Sequence, residues 1–380
     1  MAAWTRDTGS PSFGWPHESH RSVIENTVTR DRDASDFWVS LPDDLRHVKY
    51  LGTQMPEIQD DKGQYVIPFI LSLLSKHQSK HSSNPNPPPF FIGLNGVQGA
   101  GKSVLVDILK KTLSSPPHNL STVVFSLDDL YLTHADQVAL AQSHPDNPLI
   151  QHRGQPSTHD IPLALSVFAS LKANKPTKIP QYNKAAFSGQ GDRVPESEWE
   201  QVNTDPSNPV RVVLFEGWSV GFRPLDPQTL QSKHSSAVSA LQNNEVSTTT
   251  TTTTPPSPTP YRGRLGHNTL ESVTAINDAL RSYDELTSQL DAFVHIDAAD
   301  PLYVYKWRLE QEANLRATRG SGMTDEQVKH FVDGYYPAYE LYTDTVRAGV
   351  FKDTGTPDWQ GRQLRLIVGE DRKVKEVVTL

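Results

Sequence analysis

Apolar residues along this chain come in short dense runs, separated by polar stretches with helical spacing. Five runs read as strands: Pro89-Phe90-Phe91-Ile92-Gly93-Leu94, Ser121–Ser126, Pro209–Phe215, Ala292–Ile296 and Leu364–Val368. Each is β-branched or aromatic, and too short to be a helix; continuous rather than alternating apolar character predicts burial on both faces. Between them, Val104–Lys111 carries apolar residues at helical spacing, and Tyr65–Leu74 predicts an amphipathic helix that covers the sheet edge. Asp300-Pro301 supplies a cap and a first-turn proline for a further helix through Trp307. Short strands alternating with helices predict an α/β fold: a parallel sheet of about five strands with helices on both faces. In such sheets the ligand lies at the carboxyl ends of the strands.

The bulk numbers bound this picture. With 380 residues, 36% apolar content and 29 prolines, the chain carries more polar sequence than a packed domain needs. Residues 1–60 show no sustained period and read as a weakly ordered extension, docking through Trp38 or Leu45. Residues 61–380 form the domain, interrupted at about 228–260 by a Ser, Gln, Thr and Pro-rich segment containing Thr248–Thr254. That composition buries too little apolar surface to offset its ordering entropy, and predicts a disordered inserted loop. The absence of cysteine excludes disulfides and thiol catalysis, and fits a reducing compartment. A net charge of −8 disfavours nucleic acid and anionic membranes, while leaving a local cleft free to bind a small anion. No apolar stretch is long enough to span a bilayer, and the N-terminus lacks a signal core, so the expected setting is cytoplasmic, with the nucleus open. No heptad seam is visible, so the expectation is a monomer.

Candidate chemistry starts after the first strand. Gly96-Val97-Gln98-Gly99-Ala100-Gly101-Lys102-Ser103 fits the Walker A pattern, with a strand before it and a helix after. Its glycines let successive amides turn toward phosphate oxygens, and the following helix adds its positive dipole end. Lys102 is placed to reach the β/γ-phosphates, and Ser103 to ligate Mg²⁺. The fold class sharpens to the three-layer P-loop NTPase fold.

Ser126-Leu127-Asp128-Asp129-Leu130-Tyr131 leaves the second strand at the edge that faces the γ-phosphate. A carboxylate there accepts a proton from an attacking hydroxyl, and Asp128 is read as that base. Capping or Mg²⁺-shell roles are the alternatives for the pair, above all for Asp129. Arg153-Gly154-Gln155-Pro156-Ser157-Thr158-His159-Asp160 combines a cation with a His-Asp pair, although Asp160 before Ile161-Pro162 also reads as a helix cap. Taken alone, His159 reads as structural. Tyr182, Lys184, Asp192 and Arg193 offer donors and an acceptor suited to a small hydroxylated anion, or simply a solvated loop. Glu216, ending the third strand, is placed to hold Mg²⁺-bound water or position substrate. Arg308, Arg316 and Arg319 on the helix after Pro301 are candidates to close over ATP, or a solvated face.

Together these segments resemble the D-glycerate 3-kinase family of plant and fungal type, within the phosphoribulokinase, uridine kinase and pantothenate kinase group. The likeness runs from about Phe91 to Ala348. It rests on Gly96–Ser103, Ser126–Tyr131, Arg153–Asp160, Pro180–Arg193, Phe215-Glu216-Gly217-Trp218, Trp307–Glu312 and Gly322–Tyr339. Residues 1–60 and the Thr-rich insertion depart from the family pattern. The resemblance implies transfer of a phosphoryl group from ATP to the 3-hydroxyl of D-glycerate, with Arg153, Lys184 or Arg193 gripping the acceptor's carboxylate. The alternatives are a kinase for another hydroxylated metabolite, or a nucleotide-dependent switch or scaffold. A GTPase reading fails because Asn174-Lys175-Pro176-Thr177 and Asn183-Lys184-Ala185-Ala186 both lack the aspartate that reads guanine.

Overall fold

The computed structural model describes residues 60–249, 260–319, 322–352, 355 and 358–380. The expected extension, with Trp38 and Leu45, therefore lies outside the described residues apart from Asp60. Among those described, the main sheet has six strands: β1 (Phe90–Gly96), β2 (Thr122–Ser126), β3 (Val212–Gly217), β4 (Ala292–Ala298), β5 (Gln363–Val368) and β6 (Val374–Thr379). Their order is β6-β5-β4-β1-β3-β2. The five strands expected from the apolar runs are all present and mutually parallel. β6 is an addition, antiparallel to β5.

Position in the sheet explains the burial pattern. β1 and β4 are central and buried at every residue, whereas edge strand β2 is only partly so. The described helices are α1 (Gly63–Lys80), α2 (Lys102–Ser114), α3 (His134–Ser143), α4 (Ile161–Lys172), α5 (Pro227–Thr249), α6 (Leu270–Ala279), α7 (Tyr303–Arg319) and α8 (Asp325–Arg347), with shorter turns between. Alternate residues of the strands face opposite layers. Phe91, Phe125 and Phe215 meet Phe168 of α4 at ring distances of 5.2, 5.8 and 5.1 Å. Phe90 faces the other way, toward His77 of α1 at 5.3 Å. Helix α1 packs against α2 and β4 on the sheet face, rather than along the edge where its pattern alone had placed it. Its apolar stripe of Val66, Ile67, Phe69 and Ile70 is wide enough to be buried.

A second correction concerns the segment expected to be a disordered loop. Its first part is helical, as α5. Leu230 and Ala237, seven residues apart and so on one face, are buried. Polar contacts add to that sparse stripe: Lys233 Nζ lies 2.8 Å from Asp344 Oδ2, and His234 Nε2 is 2.7 Å from the Asn268 carbonyl. Residues 250–259, with most of the threonine run and its prolines, lie outside the described residues. Chain return is held by Glu340 of α8, which accepts bonds from the Tyr261 hydroxyl and the amides of Arg264 and Leu265 at 2.6–2.8 Å.

Candidate active site

At the carboxyl end of β1 the chain turns through Val97–Gly101 into α2. Gly99 and Gly101 take left-handed φ angles of 84° and 96°, which only glycine adopts without strain. A side chain on Gly99 would also come within 2.6 Å of the Trp307 Cβ. Lys102 follows at once, its stem running back against Gly96. Later segments brace the loop from outside. Arg372 Nε donates to the Gly99 carbonyl at 2.8 Å, and its guanidinium lies 5.3 Å from the Trp307 ring. The Gln98 amide donates to the Tyr339 hydroxyl of α8 at 3.3 Å. A hollow of about 560 Å³ lies beside Gly101 and Val104, walled by Asp60, Lys62 and Arg372.

The next parallel ladders carry the carboxylates to the same edge. β3 lies between β1 and β2, with Glu216 in register with Leu94 on one side and Ser126 on the other. Ser126 Oγ donates to Glu216 Oε1 at 2.8 Å and accepts the Asp128 amide at 3.2 Å. That cap starts a single turn over Leu127–Leu130, which presents Asp128 and Asp129. The backbone then joins the His-Asp segment: the Leu132 amide donates to the Thr158 carbonyl, and the Asp160 amide to that of Leu130.

Lys184 Nζ is 2.6 Å from Asp128 Oδ2, and the Tyr131 hydroxyl donates to Asp128 Oδ1 at 3.0 Å. Burial works against the Asp128 charge, yet the Lys184 ammonium, with Lys102 behind it, holds its carboxyl below the usual carboxylate range. The charge of the phosphate-loop lysine is thus felt at the proposed acceptor base. Asp129 behaves oppositely. Burial first, then the charges of Asp128 and Glu216, push it up to about 7 despite Lys184 and the Tyr182 amide at 3.2 Å. For Lys184 itself, burial opposes the charge, but the Asp128 contact outweighs it and raises the pKa.

The other expected residues are nearby, mostly already engaged. His159 is buried, its Nδ1 2.6 Å from the Tyr283 hydroxyl and its ring stacked on Tyr131 at 4.5 Å. Burial lowers its pKa to about 4, which makes it a neutral packing group. Asp160 caps α4 through the Leu163 amide at 2.9 Å and pairs with Arg193 at 3.0 Å. Arg193 also donates to the Tyr131 carbonyl. Asp192 Oδ1 accepts the amides of His134 and Arg193. Tyr182 meets Tyr131 edge-on at 5.4 Å. Arg153 donates to three backbone carbonyls of the loop that begins at Lys184.

Of the α7 arginines, Arg308 and Arg316 are already engaged by neighbours. Arg308 is buried, bonded to Gln311 Oε1 at 2.6 Å and 5.4 Å from the Phe331 ring. Arg316 is bonded to the Met323 carbonyl and to Asp325. The side chain of Arg319 lies outside what is described. Residues not singled out from sequence also shape the site: Arg372, Tyr339, and Tyr335, whose hydroxyl donates to the Arg153 carbonyl at 3.3 Å. Trp218 packs edge-on against Tyr335 at 5.1 Å. The apolar-aromatic spacing of α8 was the available signal for the tyrosines; for Arg372, on a charged turn, there was none. A cleft of about 1210 Å³ opens beyond Arg153 and Tyr335, toward α3 and Met323.

Among the described residues, no three His, Cys, Asp or Glu side chains are grouped to hold a metal. Mg²⁺ carried on a nucleotide needs no such group, since it takes one or two protein oxygens and otherwise water and phosphate. The hydroxyl of Ser103, exposed at the start of α2, and the carboxylates of Glu216 and Asp129 are donors of that kind.

A loop shaped for a phosphate chain, set against an ionised carboxylate at the end of a nearby parallel strand, defines a P-loop phosphotransferase. A solved structure of D-glycerate 3-kinase from Cryptococcus neoformans var. grubii is 36% identical, covering 84% of this chain and 99% of that one with a TM-score of 0.71. The uncharacterized kinase mug58 of Schizosaccharomyces pombe is 37% identical over 285 residues, 74% of this chain and 90% of the relative. The chloroplastic D-glycerate 3-kinase of Arabidopsis thaliana is 32% identical over 291 residues, 75% of this chain and 55% of the plant protein. No family model matches the chain. The chain belongs to the D-glycerate 3-kinase family. Among the described residues no helix is long and apolar enough to cross a membrane.

Proposed function

We propose that this enzyme transfers the γ-phosphoryl group of ATP to the 3-hydroxyl of D-glycerate, giving 3-phosphoglycerate. The observation that carries the reading is the Lys184–Asp128 pair at 2.6 Å, beside a phosphate loop whose Lys102 acts electrostatically on the same carboxylate. The names borne by the Cryptococcus and Arabidopsis relatives support the acceptor.

In this reading Lys102 and the loop amides other than those of Gln98 and Ala100, which are taken by the Tyr339 hydroxyl and the Val97 carbonyl, hold the β/γ-phosphates. Ser103 and Glu216 would hold the Mg²⁺, which when bound neutralises phosphate charge. Asp128, kept ionised, takes the proton of the attacking hydroxyl as its oxygen bonds to the γ-phosphorus and the bond to the β,γ-bridging oxygen breaks, releasing ADP. Lys184 neutralises the negative charge gathered there, and the acceptor sits among Lys184, Tyr131 and Tyr182. Catalysis is then mainly positioning and charge neutralisation. The proposal extends to a monomeric, cytoplasmic enzyme acting on a small anion. The cysteine-free composition and the net charge of −8 are consistent with that setting.

The test is an ADP-release assay with D-glycerate, pantothenate, uridine and ribulose 5-phosphate as acceptors. Turnover of D-glycerate with formation of 3-phosphoglycerate is expected. Turnover of another acceptor without D-glycerate would sink the assignment.

A further inference from the structure

We propose that Arg153 is a positioning residue, which locks the loop 184–191 and thereby sets the Lys184 ammonium on Asp128, and that it does not itself hold the substrate. The proposal rests on the kinase reading above, and replaces the sequence-based expectation that Arg153 grips the acceptor's carboxylate.

Both Nη groups of the guanidinium are turned to backbone. Nη1 donates to the Gly189 carbonyl at 2.7 Å and to that of Gln190, while Nη2 points to the Lys184 carbonyl at 3.4 Å. Its carbon lies 5.7 Å from the centre of the Tyr182 ring. A substrate carboxylate taken end-on by both Nη groups would have to displace those carbonyls and leave them without their donor.

The loop needs such a brace. Phe187 and Ser188 hold φ angles of 49° and 57°, a strained region that non-glycine residues keep only where surroundings impose it. Phe187 is 55% exposed, so little of its side chain is buried to offset that strain. Its ring stacks on His134 at 3.8 Å, and His134 Nε2 meets Gln190 Oε1 at 2.9 Å. Those two contacts hold the loop's far side, and Arg153 holds its near side. Gly191 closes the loop so tightly that a Cβ would stand 2.5 Å from Tyr182 and 2.9 Å from Arg153 Nη1.

The same arginine is tied to α8. Its carbonyl accepts the Tyr335 hydroxyl, and two residues on, Gln155 Nε2 donates to the Gly334 carbonyl at 2.7 Å. Arg153 thus stands between the helix that reaches the phosphate loop through Tyr339 and the loop that carries Lys184. Misplacing a reacting group by about 1 Å costs on the order of a hundredfold in rate. Slack in the loop therefore reaches Asp128 through Lys184.

The experiment is a double-mutant cycle on the full chain with ATP and D-glycerate. Arg153→Ala is expected to lower kcat about tenfold to a hundredfold, with the acceptor KM changed far less. In a Lys184→Ala background the same substitution should cost under about twofold, because the group it positions is gone. Arg153→Lys keeps a cation but not the fork, and should recover only part of kcat; it serves as the readable variant if Arg153→Ala fails to bind nucleotide. Additive losses in the cycle, or a rise confined to the acceptor KM, would overturn the proposal. Absence of D-glycerate turnover in the unmutated chain would instead overturn the reading on which it rests.

Discussion

Replacing Asp128 by Asn tests the chemistry most directly, because the amide keeps the shape and loses the proton acceptor. In the folded chain Oδ2 faces Lys184 at 2.6 Å and Oδ1 accepts from Tyr131 at 3.0 Å. An amide satisfies one of those donors and turns its own N–H groups on the other. A positioned general base contributes about 10²- to 10⁴-fold to rate, equal to roughly 3–5 kcal/mol at about 1.4 kcal/mol per decade. We therefore expect kcat to fall by that factor at saturating substrates, measured by ADP release. Nucleotide affinity, measured by calorimetry, should stay within about threefold, because the loop amides and Lys102 are untouched. A variant that keeps kcat within threefold of the parent would remove Asp128 from the proton-accepting role. An equal loss of nucleotide binding would make the residue a structural support of the loop.

Three further outcomes follow from other parts of the structure. Arg372→Ala removes the donor to the Gly99 carbonyl and the cation facing Trp307. It should raise the KM for ATP by about tenfold, in line with one charge-assisted bond of roughly 1.5 kcal/mol, with kcat much less affected; an unchanged ATP KM refutes a bracing role. Phe168→Ala empties the contact among Phe91, Phe125 and Phe215. It should cost about 3–5 kcal/mol in urea unfolding, and a loss below 1 kcal/mol would show that α4 is not clamped to the sheet this way. Buried His159, at about 4 against an ordinary 6.5, binds its proton less readily folded than unfolded. Its neutral form therefore contributes stability in full above pH 6.5, and loses it as pH falls toward 4, by roughly 3 kcal/mol. His159→Gln should flatten the thermal stability profile across that window, and an unaltered slope counts against the assignment.

The sheet was legible because its parallel strands are buried on both faces and so read as dense apolar runs. Strand β6 was not, since Val374, Val377 and Val378 share an exposed edge with Lys375 and Glu376, and nothing in the pattern separates that from a charged tail. Helix α5 was hidden for a related reason. Serine, glutamine and asparagine dominate it, and the contacts that hold it, such as Lys233 with Asp344, join residues 111 apart. Composition measures how much apolar surface a segment has to bury. It is silent on polar partners supplied from elsewhere in the chain.

The same limit separates the two halves of the site. The strand-to-helix turn at Gly96–Ser103 was legible because its glycine spacing states the backbone geometry that Gly99 and Gly101 adopt. Asp128, Tyr131, Tyr182 and Lys184, expected on the acceptor side, do lie together, while Arg153, Asp192 and Arg193 have residue types that suit anion binding and are engaged by carbonyls, amides and Asp160. Such occupancy depends on where loops fold back, which side-chain chemistry alone does not encode. Of the three cations expected to meet the substrate, Lys184 is the one whose ammonium sits on Asp128, the base proposed above, while Arg193 and Arg153 contact the backbone around it. Selectivity for the acceptor should therefore respond to changes at Lys184 directly. At Arg153 and Arg193 it should respond only through kcat, a division that acceptor KM values for the three alanine variants would expose.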